Sequence, residues 1–236
     1  MSYIGRNALQ WLRHLLSTLP YPGHHLENAH TMKDVNANQG TAGANQDLID
    51  LTENLIQTRQ HMGPKHLAEP GPSRDLLLRL LEAAAAAPDH AQLRPWRFIA
   101  FSNESRDKLA TAFADALLER DASALPEQLD DARQKAYRSP TLLLAVARLA
   151  PHNPDVADAE KLVSLGCAIQ NLMLAALAHG FSTGLTSGKA LTSQTFRQAC
   201  GLANGELAVC FINIGTTRKS RPRKVRPAPL DFVSWL

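Results

Sequence analysis

The segment 159–180, AEKLVSLGCAIQNLMLAALAHG, constrains this chain more than any other. It is apolar nearly all round, which predicts a central buried helix rather than an amphipathic surface one. Gly180 suits the position just past its end, where the backbone turns left-handed. Such a helix needs other layers wrapped around it. The candidates are few strands separated by helices. LIDLTENLIQ places Leu48, Leu51, Leu55 and Ile56 on one helical face. Ser73 is an N-cap for RDLLLRLLEAAAAA, which stops before Pro88. RFIAFSN, TLLLAVARLA and LAVCFINIG read as strands, the second one buried. SRDKLATAFADALLERD is a helix with Leu109, Phe113, Ala116 and Leu117 inward. PEQLDDARQKAYRSP is a charged surface segment, FSTGLTSG a glycine-rich loop, and TSQTFRQACG a short helix. The order leaves α+β and α/β both open.

Residues 1–46 differ from the rest. After Leu19 they are polar and rich in Gly, Asn and His, a composition that cannot offset ordering entropy. We read 1–46 as a flexible extension and 47–236 as the folded domain. Met32 is an alternative start, which a native peptide from residues 1–31 would refute. The first 23 residues, interrupted by Arg13 and His14, lack a secretory apolar core. No run approaches the roughly 20 apolar residues of a membrane span.

The 236 residues suffice for a sizeable core. The net charge of +3 is concentrated in RKSRPRKVR, residues 218–226. Outside it the chain is slightly acidic, so no nucleic-acid partner is read from the charge. Three cysteines without close spacing make neither a disulfide framework nor a zinc site, and no metal site is read. Reduced thiols point to the cytoplasm. Cys167, in the apolar helix, reads as an inert buried thiol.

Four pieces carry chemistry-capable residues. In TRQHMGPKH, Arg59 either complements a helix dipole or holds an anion together with Lys65, with His61 as a polar contact to a ring. In APDHAQLRPWRF, Ala83–Ala87 presents a face without bulk, for tight packing or for a planar ligand. His90 and Arg94 fall in the loop after Pro88, Trp96 is expected in the core, and Arg97 in solvent. GFSTGLTSG is a turn, or a backbone laid against a ligand with Thr186 and Ser187; Walker and GxGxxG patterns are absent. The basic segment is a solvated tail or a phosphate site.

In this order the pieces resemble the nitroreductase family of FMN-dependent oxidoreductases, closest to its minimal, YdjA-type subgroup. The resemblance rests on TRQHMGPKHLAEPGP, AAAAAPDHAQLRPWRF, LGCAIQNLMLAALAHGFSTGLTSG and FINIGT followed by basic residues. It covers Asp47 to Leu236. It implies an α+β fold: a central, mainly antiparallel sheet flanked by helices, in an intertwined homodimer with FMN at the interface. Arg59, Gln60 and His61 correspond to a flavin-contacting segment, with Gln60 in place of a second Arg and His61 in place of Ser. Ala86 stands where relatives carry a longer polar residue. His90 matches a flavin contact supplied across the interface. Leu185, Thr186 and Ser187 match the loop along the flavin, and Lys224, or else Arg223, the phosphate contact. Ala175, Ala176, Leu177, Ala178, His179 and Gly180 match a segment assigned to the nicotinamide nucleotide.

The implied activity is ping-pong hydride transfer from NADH or NADPH through flavin N5 to a nitroaromatic, quinone-like or related electron-poor small molecule. No side chain is assigned as catalytic, because the cofactor carries the chemistry. The substitutions at Gln60, His61 and Ala86 keep open a non-catalytic flavin-binding or scaffold protein of the same fold, or an offshoot with another flavin reaction. No membrane partner is expected.

Overall fold

The computed structural model describes residues 45–149, 155–217, 222 and 225–236. The expectations for residues 1–44, Met32 included, and for Arg223 and Lys224 fall outside them. The chain divides into two units, 1–57 and 58–236. Helix α1 (Gln46–Thr58) forms as its apolar spacing predicts, with Leu48 and Ile56 exposed.

In the second unit, β2 (Thr141–Arg148) shows how the sequence sets the architecture. Leu143, Ala145 and Ala147 face one side, and Leu142, Leu144 and Val146 the other; all six are buried. A strand covered on both faces has no polar side to alternate with, so it reads as a continuous apolar run. β2 pairs with β1 (Trp96–Ala100) on one side and β4 (Glu206–Gly215) on the other. β3 (Ser182–Thr186) pairs with the far edge of β4. The order is β1-β2-β4-β3, antiparallel throughout, which selects α+β over α/β.

Helices cover both faces. On one, α2 (Arg74–Ala85) contributes Leu80 and Ala84, and α5 (Asp158–Ala178) contributes Leu165, Ala168, Ile169, Leu172, Met173 and Ala176. The α5 spacing of three and four residues makes one continuous stripe. Each fully buried leucine is worth roughly 1.5–3 kcal/mol. On the other face α3 (Asn103–Arg120), α4 (Pro126–Gln134) and α6 (Gln194–Ala199) enclose Leu109, Phe113, Ala132 and Phe196. The helix ends are those the sequence specifies. Ser73 Oγ accepts from Leu76 N–H at 3.3 Å. Gly180 sits at φ 82°, with Phe181 N–H donating back to the Ala176 carbonyl.

Six expectations need correction. FSTGLTSG is not a loop: its centre is β3, and the close approach of Met62 demands Gly184, where an added Cβ would lie 1.9 Å from the Met62 carbonyl oxygen. Arg97 is not solvent-facing: its guanidinium makes a two-pronged pair with Glu206, both contacts 2.7 Å. Trp96 and Cys167 are half-buried beside the core rather than inside it. α5 is buried on one stripe only, since Val163 is 67% exposed. By length and mean hydropathy, 1.5, α5 is also apolar enough to cross a membrane, contrary to the sequence reading; its buried stripe packs on the sheet.

Candidate functional site

The residues that follow α1 run along the outer edge of β3. Met62 N–H donates to the Thr183 carbonyl at 2.8 Å, and His61 bridges Thr183 in parallel. Leu185 N–H donates to His61 Nδ1 at 3.3 Å. That contact requires an unprotonated Nδ1, so the neutral ring carries its proton on Nε2, a donor. Two sequence-predicted strips, Arg59–His61 and Leu185–Ser187, thus lie along one edge and meet where His61 touches Leu185.

Arg59 is half-buried at one end of this edge. Arg226 Nη2 donates to its carbonyl oxygen at 2.8 Å. Burial, and then the charge of Arg226, lower the Arg59 pKa from its ordinary value. Two adjacent guanidiniums favour an anion between them. Arg226 belongs to the basic run 218–226 read as a tail or a phosphate site, in which the resemblance singles out Lys224 or Arg223 rather than Arg226.

At the other end, Thr186 and Ser187 open onto a cavity of about 330 Å³. Asn213 organises its base. Its Nδ2 donates to the Gly184 carbonyl and to Thr186 Oγ1, and its Oδ1 accepts from Ser139 Oγ at 3.0 Å. A buried polar residue is retained only with its partners satisfied. Asn213 was missed, although a lone amide within CFINIG was a readable signal.

The remaining predicted residues lie at the end of α2, in the loop after it and at the end of α5. Ala86 is exposed at the C-cap of α2. His90 is exposed, with Nδ1 2.8 Å from Glu160 Oε2 in the first turn of α5. Ser164 Oγ donates to the Pro88 carbonyl at 2.6 Å, and Asp89 Oδ2 accepts from Arg94 N–H at 2.7 Å. Ala91, Gln92 and Arg94 take positive φ of 55°, 53° and 47°. Backbone held in the left-handed region at three non-glycine residues stores strain that surrounding contacts must maintain. Asp89 Oδ1 is buried without a partner. In the 175–180 segment Ala176 is buried, Ala175, Leu177, Ala178 and His179 are half-buried, and Gly180 is exposed. Burial, followed by nearby Arg79, lowers the His179 pKa. Among the described residues, no group of three or more His, Cys, Asp or Glu side chains is arranged to hold a metal.

The family model described as "Nitroreductase family" matches residues 65–216. The chain is 36% identical over 183 residues to the "Putative NAD(P)H nitroreductase" of Haemophilus influenzae, covering 77% of this chain and 97% of that protein. It is 31% identical over 191 residues to "Putative NAD(P)H nitroreductase YdjA" of Escherichia coli K12, covering 79% and 100%. Among solved structures it resembles a nitroreductase-like family protein from Bacillus cereus, with TM-score 0.67, 23% identity, and 78% and 95% of the two chains covered. It also resembles the FMN- and NADPH-dependent nitroreductase NfnB from Sphigopyxis sp. strain HMH, with TM-score 0.59, 16% identity, and 78% and 98% covered. At such identities the structural likeness establishes the fold.

Proposed function

The chain belongs to the nitroreductase family, and from that premise we propose that it is an FMN-dependent oxidoreductase that uses NAD(P)H to reduce electron-poor small molecules, nitroaromatic or quinone-like. The observation that carries this reading is the pairing of the His61 strip with β3, which brings two strips that the family resemblance assigns to the flavin, far apart in sequence, to one edge. When bound, FMN supplies the redox chemistry, taking a hydride from NAD(P)H and giving two electrons to the acceptor.

The donor set fits that group. The His61 ring and the Ser187 hydroxyl are polar groups suited to the ring's polar edge, and the Arg59–Arg226 pair is suited to the phosphate. Leu185 provides an apolar surface between them. Gln60 in place of a second arginine removes one charge from this edge; Arg226 supplies a cation from elsewhere. Lys224 and Arg223 are close in sequence to Arg226 and remain candidates for the same phosphate.

Residues 47–236 form the FMN-binding domain in this reading, and two chains form a homodimer. The strained 88–94 loop, the exposed Leu162 and Val163 on α5, and the exposed Leu230, Phe232 and Trp235 near the C-terminus support the dimer. His90 then faces the FMN held mainly by the other copy, and Glu160 fixes its ring. The exposed end of 175–180 is a route for the nicotinamide nucleotide. Unpaired cysteines favour a reducing compartment, the cytoplasm.

FMN titration followed by flavin fluorescence tests the site. Arg59→Ala weakens FMN binding by about 10- to 100-fold, the worth of a charge-assisted hydrogen bond. Wild-type affinity in Arg59→Ala would refute the assignment.

A further inference from the structure

The cavity beside Thr186 and Ser187 carries positive charge that the edge of β3 does not account for. Its floor is apolar: Phe113, Leu142, Leu191 and Phe211 are buried, and Leu117 is half-buried. The Phe113 and Phe211 rings stand 5.5 Å apart at 47°. Its walls hold four cations from separate stretches of chain. Arg120 ends α3, Lys135 and Arg138 follow α4, and Lys189 lies in the turn after β3.

Among the described residues, no carboxylate lines this cavity. Among the described residues, none of the four cations takes part in a salt bridge. Three acids are engaged elsewhere. Glu119 caps α6 through Ser193, Gln194 and Thr195, Asp121 accepts from Ser123, and Asp107 accepts from the Tyr137 hydroxyl. Burial first, then Arg138 and Arg120, pull the Lys135 pKa down, with Asp131 as the opposing influence. Like charges gathered with no ion-pair partner among the described residues repel one another, and an anion entering among them relieves that repulsion.

An apolar, aromatic lining beside several cations selects an aromatic body with an anionic substituent. We infer that the electron acceptor is an aromatic carboxylate, a nitro- or quinone-type ring lying over Phe113 and Phe211 with its carboxylate against Arg120, Arg138 and Lys189. The inference rests on the oxidoreductase reading and concerns only which acceptor that site takes. A neutral acceptor of the same shape gains the floor but leaves the cations uncompensated.

The test uses FMN-loaded enzyme and two acceptors matched except in charge, 4-nitrobenzoate and its methyl ester. The kcat/KM for the carboxylate exceeds that for the ester by about tenfold or more, as a charge-assisted contact implies. In the Arg120→Gln/Lys189→Gln double variant that ratio falls to near one. Arg133→Gln, on α4 but paired with Asp130 outside the cavity lining, keeps the wild-type ratio. FMN content and melting temperature, measured for each variant, separate lost recognition from lost folding. Menadione, an uncharged quinone, reads the flavin reaction itself. If menadione is not reduced either, the oxidoreductase reading fails. If menadione is reduced but wild type shows no preference for the carboxylate, this inference alone fails. A double variant that raises the KM for NADPH, but not for NADH, with the acceptor ratio unchanged, assigns the cations to the nucleotide phosphate and also overturns it.

Discussion

Gly184 and Arg97 show what single residues decide here. Any side chain at 184 must displace the Met62 carbonyl, 1.9 Å from the ideal Cβ position. Gly184→Ala should therefore cost roughly 1–3 kcal/mol by overpacking. It should also push the 59–62 strip off β3, so FMN affinity falls together with melting temperature. A variant with unchanged stability and affinity would show that the strip is not held there. The candidate residues that the fold brings to one edge were those in short motifs: Arg59, His61, Thr186 and Ser187. Arg97 was misread because its partner Glu206 lies 109 residues away, and no local pattern reports such a pair. Arg226 and the cavity cations were obscured for a related reason. Charge runs look solvated until the fold shows what they surround.

At the level of elements, periodicity was a good guide where burial is one- or two-sided within the chain. α2, α3 and β2 form where their apolar spacing puts them, and Ser73 and Gly180 end their helices as their chemistry requires. β3 escaped because its pairing does not come from apolar alternation. It is a short edge strand of Ser, Thr and Gly, held by β4 on one side and by His61–Met62 on the other. α5 exposes the opposite ambiguity. A helix apolar all round predicts burial on every side, yet within one chain Leu162 and Val163 remain exposed. The proposed homodimer resolves this by covering the second stripe. Val163→Asp should then shift the protein from dimer to monomer, read by sedimentation velocity, with α5 still folded by circular dichroism. An unaltered dimer would place the interface elsewhere.

Over the whole molecule, the antiparallel sheet is tied together by charge as well as by its core. Glu206 at the start of β4 binds Arg97 of β1, and its carboxylate also accepts from Ala203 N–H. The Arg97 hydrogen bonds are the main cause that holds its pKa down at about 2, against an ordinary 4.5. A carboxylate with a lowered folded pKa contributes stability that is fully present above its unfolded value and is lost as pH falls through the folded one. Global stability should decline as pH drops from about 4.5 toward 2, and Glu206→Gln should flatten that decline while lowering stability at neutral pH. Denaturant melts across this range check it. An identical pH slope in the variant would mean that other carboxylates dominate.

The architecture, the matched family and the edge of β3 converge on one property, a flavin that NAD(P)H can reduce. The absorbance spectrum of purified protein, after FMN is added and the excess removed, reads it directly. The protein should show a bound-flavin band near ~450 nm, and NADH or NADPH should bleach it without oxygen. A colourless protein, or a band that neither nucleotide bleaches, would contradict the oxidoreductase assignment.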